Sequence, residues 1–158
     1  MDFELTEDQR LLNDSVSRLL ADRYAFDARR GYMKAAQGWS QELWDKYAEL
    51  GLLGLPFSED YGGFGGGAVD VMMVMEAFGR SLVLEPYLAT VVLGGSAIKY
   101  AGDEVQKGEL LPRIVDGSLK LGWAHGEQQS RYDLTDVLTT ATKDGSGWTL
   151  EGAKSVVF

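Results

Sequence analysis

Residues 50–67 read LGLLGLPFSEDYGGFGGG, and this stretch decides between two different folds. Gly63–Ala68 fits the loose G-x-G-x-x-A pattern of a dinucleotide-binding loop. Such a loop binds a pyrophosphate only when a β-strand precedes the glycines and a helix follows them. Here a predicted helix ends at Gly51 and Gly54, and Pro56 keeps it from resuming. Because no strand precedes the glycines, the stretch is predicted to be a corner between two helices.

Two amphipathic helices are predicted before this corner. Thr6–Gln9 has the residues of a capping box, and apolar residues recur behind it at helical spacing. Ser40 is placed to cap the second helix, with Trp39 and Trp44 positioned as a hydrophobic staple. The polar, glycine-bounded segment 29–38 between the two helices is predicted to be a loop.

Further helices are predicted after the corner. Residues 69–79 are apolar on nearly every side, which is typical of a central, buried helix. Pro86 suits the first turn of another helix that runs to about residue 100. A last helical run begins at Asp103 and is predicted to break at its internal glycine and at Pro112.

The pattern changes towards the end of the chain. Residues 139–143 and 148–150 are rich in β-formers, and Asp144–Gly147 between them is a turn of hairpin length. Ser155–Phe158 predicts one more strand. A domain that finishes in mid-strand leaves backbone groups unpaired. The residues therefore predict a complete helical domain followed by the start of a β domain whose remainder is missing.

Composition disfavours several classes of function. A net charge of -9 argues against a nucleic-acid-binding surface, which needs clustered Lys and Arg. The absence of Cys excludes disulfides and thiolate sites, and a single His disfavours a His-built metal site. Residues 1–4 lack the features of a signal peptide, and no apolar run is long enough to span a membrane. A soluble cytoplasmic protein without a metal, a nucleic-acid partner or a membrane span is expected.

The residues by themselves do not reveal a catalytic constellation. His125 is the only imidazole, and a lone His is more often structural than catalytic. Trp123 and Trp148 either stack on a bound ring system or pack in a β core. Glu127 and Arg131 belong to a short polar run that is also typical of a solvated loop.

Several motifs nevertheless occur in an order that resembles a known family. They are Leu5–Gln9, Leu50–Pro56, Glu59–Gly63, Phe78–Ser81, Leu111–Arg113 and Gly147–Lys154. The collinear set resembles the acyl-CoA dehydrogenases, and Ala124–Asp133 looks most similar to the small subunits of pimeloyl-CoA dehydrogenases. The resemblance implies a mainly α fold, with an N-terminal helical domain over 1–117 and the beginning of a middle β-barrel domain over 118–158.

The resemblance implies an FAD-dependent enzyme that removes hydrogens from the α and β carbons of an acyl-CoA thioester. In the family a glutamate base takes the α proton, and the flavin N5 takes the β hydride. The base belongs to a C-terminal domain, so the 158-residue chain alone is expected to be inactive and to contain no catalytic residue. The implied partners are an acyl-CoA substrate, an electron-transfer flavoprotein or similar acceptor, and further subunits of a homo- or hetero-oligomer.

The resemblance also implies where the cofactor and substrate bind. The implied flavin contacts are Trp123, His125, Gly126, Val156, Val157 and Phe158. Arg131 and Tyr132 replace small residues on the implied substrate side, which suits a substrate with a terminal carboxylate or fills the pocket. Gly126 stands where the family has Thr, and Val156 stands where it has an aromatic residue. These departures keep open an alternative function, that of a non-catalytic partner subunit in a heteromeric dehydrogenase.

Overall fold

A computed structural model describes residues 4–158, which form two units. The first unit ends at Leu121 and contains the helices, and the second is Gly122–Phe158 and contains the strands. The mainly α fold with a partial β domain is therefore confirmed. The predicted domain boundary between residues 117 and 118 stays a prediction. The prediction that residues 1–4 lack the features of a signal peptide falls mostly on residues 1–3, which lie outside the described residues.

Six α-helices and two β-strands are present within residues 4–158. They are α1 (Glu7–Arg23), α2 (Phe26–Tyr32), α3 (Gln41–Glu49), α4 (Ala68–Ser81), α5 (Ser96–Ala101), α6 (Glu104–Val115), β1 (Thr140–Asp144) and β2 (Gly147–Glu151). Two 3₁₀ turns cover Leu52–Gly54 and Glu59–Tyr61, and a π-helical segment covers Leu88–Gly95. In this described part of the chain, no helix has the length and apolar character needed to cross a membrane.

Side-chain caps fix where three of the helices begin. Thr6 and Gln9 cap each other's backbone N–H at the start of α1, and Asp103 and Gln106 do the same for α6. Ser40 Oγ accepts a backbone N–H from the first turn of α3. These caps satisfy N–H groups that the helix itself leaves without acceptors. All three predicted starts are confirmed.

Two helical features differ from the sequence prediction because tertiary contacts outweigh the local pattern. α2 occupies the beginning of the predicted loop over 29–38. It is held by Arg29 Nε, which donates to the Leu82 carbonyl at 2.7 Å. α6 runs unbroken through Pro112, although a proline removes one helical hydrogen bond. Leu111 and Ile114 are both buried beside it, and this packing holds the helix together.

Other helical predictions are correct in extent but not in detail. The helix predicted after Pro86 is present, yet its central part, Leu88–Gly95, is a π-helix that the sequence period did not reveal. α4 is buried on one face only, because Val69 and Met72 are exposed.

The strand predicted over Ser155–Phe158 is not formed, since the backbone turns out of the extended region at Val156, where φ is 54°.

The glycine-rich stretch is the predicted corner between α3 and α4. Gly62 and Gly65 adopt φ of 80° and 65°, a left-handed conformation that costs glycine little. Gly63 lies directly against other backbone. A Cβ added to it would be 2.2 Å from the Phe57 carbonyl oxygen and 2.7 Å from the Gly54 carbonyl oxygen. The glycines therefore serve close packing in a sharp turn.

The core of the helical unit packs aromatic and aliphatic side chains around one carboxylate. Glu85, which is 5% exposed, accepts hydrogen bonds from Tyr24 Oη at 2.8 Å and Tyr47 Oη at 3.3 Å. The Ser40 N–H donates to its second oxygen at 3.0 Å. Burial raises the pKa of both Tyr24 and Tyr47, so their hydroxyls remain protonated donors. The network satisfies a buried acid without a cation.

We expect Gly63→Ala to lower the free energy of unfolding by about 2–3 kcal/mol, because its new methyl group would overlap backbone atoms. Gly67→Ala is the matched control in the same loop, since its Cβ would meet nothing closer than 3.6 Å. That variant should stay within about 0.5 kcal/mol of the unaltered protein. Urea denaturation followed by circular dichroism gives both values. Equal stability of the two variants would contradict the account of this corner.

Candidate functional site

The residues predicted to contact the flavin belong to two segments of the second unit, 123–126 (the first segment) and 155–158 (the second segment). The two segments lie side by side. The Trp123 N–H donates to the Phe158 carbonyl at 2.9 Å, and the Phe158 N–H donates to the Trp123 carbonyl at 3.2 Å. The Ser155 N–H donates to the Gly126 carbonyl at 2.9 Å. These bonds join residues that are 35 and 29 positions apart in the sequence, in an antiparallel arrangement.

The pairing between these segments is interrupted in its middle. In a regular antiparallel ladder, hydrogen-bonded pairs recur at every second residue, whereas here they are three residues apart on both segments. Val156 lies in the gap with φ 54°, an unusual conformation for a β-branched residue. Within residues 4–158, the backbone N–H groups of His125, Gly126 and Val157 have no hydrogen-bond acceptor. Amides left in this state can donate to a bound ligand.

Aromatic and apolar side chains border the same interruption. The rings of Trp123 and His125 stack with centroids 5.8 Å apart. Phe158 and Val156 are both exposed. A Cβ at Gly126 would lie 3.2 Å from the Ser155 carbonyl oxygen, so a side chain there would press on the second segment. Backbone donors beside flat apolar surfaces fit a ring system with polar edges, which is the character of an isoalloxazine.

A buried carboxylate follows directly after the first segment. Glu127 Oε1 accepts hydrogen bonds from Lys154 Nζ at 2.7 Å and from the Thr139 N–H at 3.0 Å. Its Oε2 accepts from Gln129 Nε2 and from the Leu138 N–H, each at 2.7 Å. A carboxylate has about four lone-pair positions, so its acceptor capacity is filled. The interpretation of this position as part of a solvated loop is wrong.

Lys154 connects the two segments through its ammonium group. Besides Glu127, its Nζ donates to the His125 carbonyl at 3.2 Å. The Lys154 ammonium is the main reason that the pKa of Glu127 lies well below its ordinary range. The Glu127 carboxylate therefore stays ionised at neutral pH, and Lys154 connects it to the His125 carbonyl of the first segment.

The pairing of Glu127 with Lys154 was not predicted from the sequence, and the predicted hairpin accounts for only part of it. β1 and β2 pair antiparallel through a two-residue turn, so the chain enters and leaves the hairpin at neighbouring points. Gly152, directly after β2, lies so close to Thr139, directly before β1, that a Cβ on the glycine would be 2.7 Å from Thr139 Cα. The hairpin therefore brings Thr139 close to Gly152, but Glu127 lies 12 positions before Thr139, and no local pattern predicts that it folds back to Lys154.

The predicted substrate residues lie on the turn after Glu127. Arg131 has φ 46°, and Tyr132 is 99% exposed. No carboxylate in residues 4–158 forms a salt bridge with Arg131. Ser130 Oγ fastens the start of the turn by donating to the Glu127 carbonyl at 2.8 Å. The structure thus groups the predicted flavin residues, and it places Arg131 and Tyr132 on an adjoining exposed turn. The binding roles of all eight residues stay predictions.

Sequence comparisons relate the chain to a dehydrogenase family. The family model described as acyl-CoA dehydrogenase, N-terminal domain, matches residues 6–118. Acyl-CoA dehydrogenase FadE12 of Mycobacterium tuberculosis is 32% identical over 158 residues. The match covers 96% of this chain but only 39% of FadE12, so the chain spans well under half the length of this relative.

Solved structures share the fold over nearly the whole chain. The Tcur3481–Tcur3483 steroid ACAD has a TM-score of 0.85 at 31% identity, covering 96% of this chain and 41% of its own. An electron transferring flavoprotein structure of Acidaminococcus fermentans has a TM-score of 0.83 at 28% identity, covering 99% and 41%. An acyl-CoA dehydrogenase complexed with FAD from Bacillus anthracis has a TM-score of 0.84, covering 98% and 27%; at 24% identity it shows the fold alone.

We expect the Glu127 carboxylate to remain ionised well below the ordinary pKa of a glutamate, about 4.3. Because its pKa is lowered in the folded state, it stabilises that state above the unfolded pKa. This contribution is lost only as the pH falls through the lower, folded value. The ¹³C shift of the Glu127 carboxyl, followed by NMR from pH 7 downwards, measures the transition. A midpoint at the ordinary value would contradict the four-donor geometry.

Proposed function

Because this chain belongs to the acyl-CoA dehydrogenase family, we propose that it supplies the helical domain and part of the flavin site of an FAD-dependent enzyme. The reaction is the α,β-dehydrogenation of an acyl-CoA thioester. The observation that supports this function is the meeting of 123–126 with 155–158 around an interruption that leaves backbone amides unengaged. The proposal concerns a protein of which this chain is one part.

FAD, when bound, supplies the acceptor for the hydride that leaves the β carbon. In the proposed site the N–H groups of His125, Gly126 and Val157 donate to the polar edge of the ring. Trp123 and Phe158 provide apolar surface beside them. Backbone donors do not depend on the side chain, so the replacement of the family's Thr by Gly126 does not remove them. The proton-abstracting base is assigned to a part of the enzyme outside residues 4–158.

Arg131 is the residue we assign to substrate selection. Arg131 is exposed on a turn and has no carboxylate partner within the described chain. Arg binds carboxylates in a planar, two-pronged geometry. An acyl-CoA whose acyl group ends in a second carboxylate is therefore the proposed substrate class. Tyr132 adjoins this position and is assigned to the same substrate side.

The proposed electron acceptor is an electron-transfer flavoprotein or a protein like it. The similarity to the Acidaminococcus fermentans structure, itself described as an electron transferring flavoprotein, supports a place for this fold in flavin-to-flavin electron transfer. Assembly with further copies or related subunits is proposed as well, because the related steroid ACAD Tcur3481–Tcur3483 is named as a pair of proteins.

A second function, that of a non-catalytic partner subunit, is favoured by one observation. The site is crowded at Gly126, where a Cβ would already lie 3.2 Å from the Ser155 carbonyl oxygen. A Thr, as found in the family, does not fit there without movement of the second segment. The number of FAD molecules per copy of this chain in the assembled native protein separates the two functions, since a non-catalytic subunit holds none.

We expect the isolated 158-residue chain to purify without flavin absorbance and without acyl-CoA oxidation. The native protein that contains this chain is expected to bind FAD, and the flavin absorbance should bleach when an acyl-CoA is added. Visible absorption spectra of the two preparations, at equal chain concentration, make the comparison. Stoichiometric FAD in the isolated chain would contradict the first expectation, and a native protein that never takes up flavin would contradict the proposed function.

A further inference from the structure

Glu127 and Lys154 stand apart from the other ion pairs of the described residues. The side chain of Glu127 is 2% exposed and that of Lys154 is 24% exposed, whereas the acid in each other pair is at least half exposed. Exposed pairs contribute little, because solvent screens them. A desolvated pair is retained only where its geometry is good and its remaining donors and acceptors are satisfied. Both conditions hold at Glu127.

The partners of this pair lie on every segment that meets at the candidate site. Lys154 Nζ contacts the His125 carbonyl in the first segment and directly precedes Ser155, whose N–H pairs with Gly126. The Glu127 carboxylate accepts the backbone N–H groups that lead into β1. Its own N–H and carbonyl fasten the turn that continues to Arg131.

We propose that Glu127 and Lys154 act as a positioning clamp that holds the two flavin-contacting segments in register and anchors the turn bearing Arg131. Neither side chain needs to touch the cofactor, because the Glu127 carboxylate accepts from four donors and Lys154 Nζ donates to two acceptors within the second unit. They are positioning residues in the sense that they act through the backbone of 123–126 and 155–158. The expected effect on FAD binding rests on the proposed function. The expected effect on the pairing of the two segments does not.

Replacing the carboxylate by an amide tests the clamp. In Glu127→Gln one of the two oxygens becomes an NH₂ group, which cannot accept, so donors that were paired lose their acceptor. Lys154→Gln removes the cation instead, and Lys154→Arg keeps a cation. Glu151→Gln is the matched control, because it makes the same chemical change on an exposed residue of the same unit.

The first measurement uses the protein without cofactor. Amide hydrogen exchange at Trp123, Ser155 and Phe158 should accelerate by about tenfold or more in Glu127→Gln and in Lys154→Gln, since the clamp no longer holds the pairing. Amides of α4 in the helical unit should not change, which separates this effect from global unfolding. Glu151→Gln should alter exchange by less than about twofold.

The second measurement titrates FAD into the native apoprotein that contains the same substitutions. We expect the Kd for FAD to rise by about tenfold or more in Glu127→Gln and Lys154→Gln, with partial recovery in Lys154→Arg and no change in Glu151→Gln. Unchanged exchange at Trp123 and Phe158, or an unchanged Kd despite faster exchange, would overturn the clamp. Failure of the unaltered protein to bind FAD would instead count against the proposed function, and amide exchange would then decide on the clamp alone.

Discussion

The burial of one carboxylate, Glu127, is the constraint on which the second unit depends. It is the only residue of Gly122–Phe158 that is buried, and every residue of β1 and β2 is exposed. A two-stranded hairpin with no apolar face is at best marginally stable in water. Within these described residues the buried contacts are therefore polar, and they converge on the Glu127 carboxylate, which accepts from four donors.

The helical unit is held together in a different way. Its stability comes from a continuous core of large apolar side chains, with Trp44, Tyr47 and Leu53 fully buried. Glu85 is an acid inside that core, but its partners are hydroxyl and amide groups, and no Lys or Arg is required. The unit can tolerate this because two tyrosines supply both apolar bulk and a donor. The two units thus use a buried carboxylate for different purposes: one orients side chains within a core, and the other joins chain segments.

The features that the sequence predicted well depend on residues close together in the chain. The capping pairs at α1 and α6, the glycine corner at Gly62 and Gly65, and the β1–β2 hairpin all follow from contacts within a few positions. The features that it missed depend on distant partners. α2 is held by the Leu82 carbonyl, and Glu127 is held by Lys154, 27 positions away. Local propensity contains no information about such partners.

Family membership and local geometry together account for the candidate site better than either does alone. Family resemblance selected residues 123–126 and 156–158, and the structure brings them together with free amides and a left-handed Val156. Strained backbone of this kind is concentrated at ligand sites, where the surroundings hold it in place. The structure also adds two residues, Glu127 and Lys154, whose role is to support those contacts.

A crystal structure of the native holoprotein that contains this chain tests the central claim most directly. The account predicts that the isoalloxazine ring contacts the backbone of residues 123–126 and 156–158, while Glu127 and Lys154 remain paired behind it without touching the cofactor. A flavin bound elsewhere on the protein, or one that contacts the Glu127 carboxylate directly, would contradict the account.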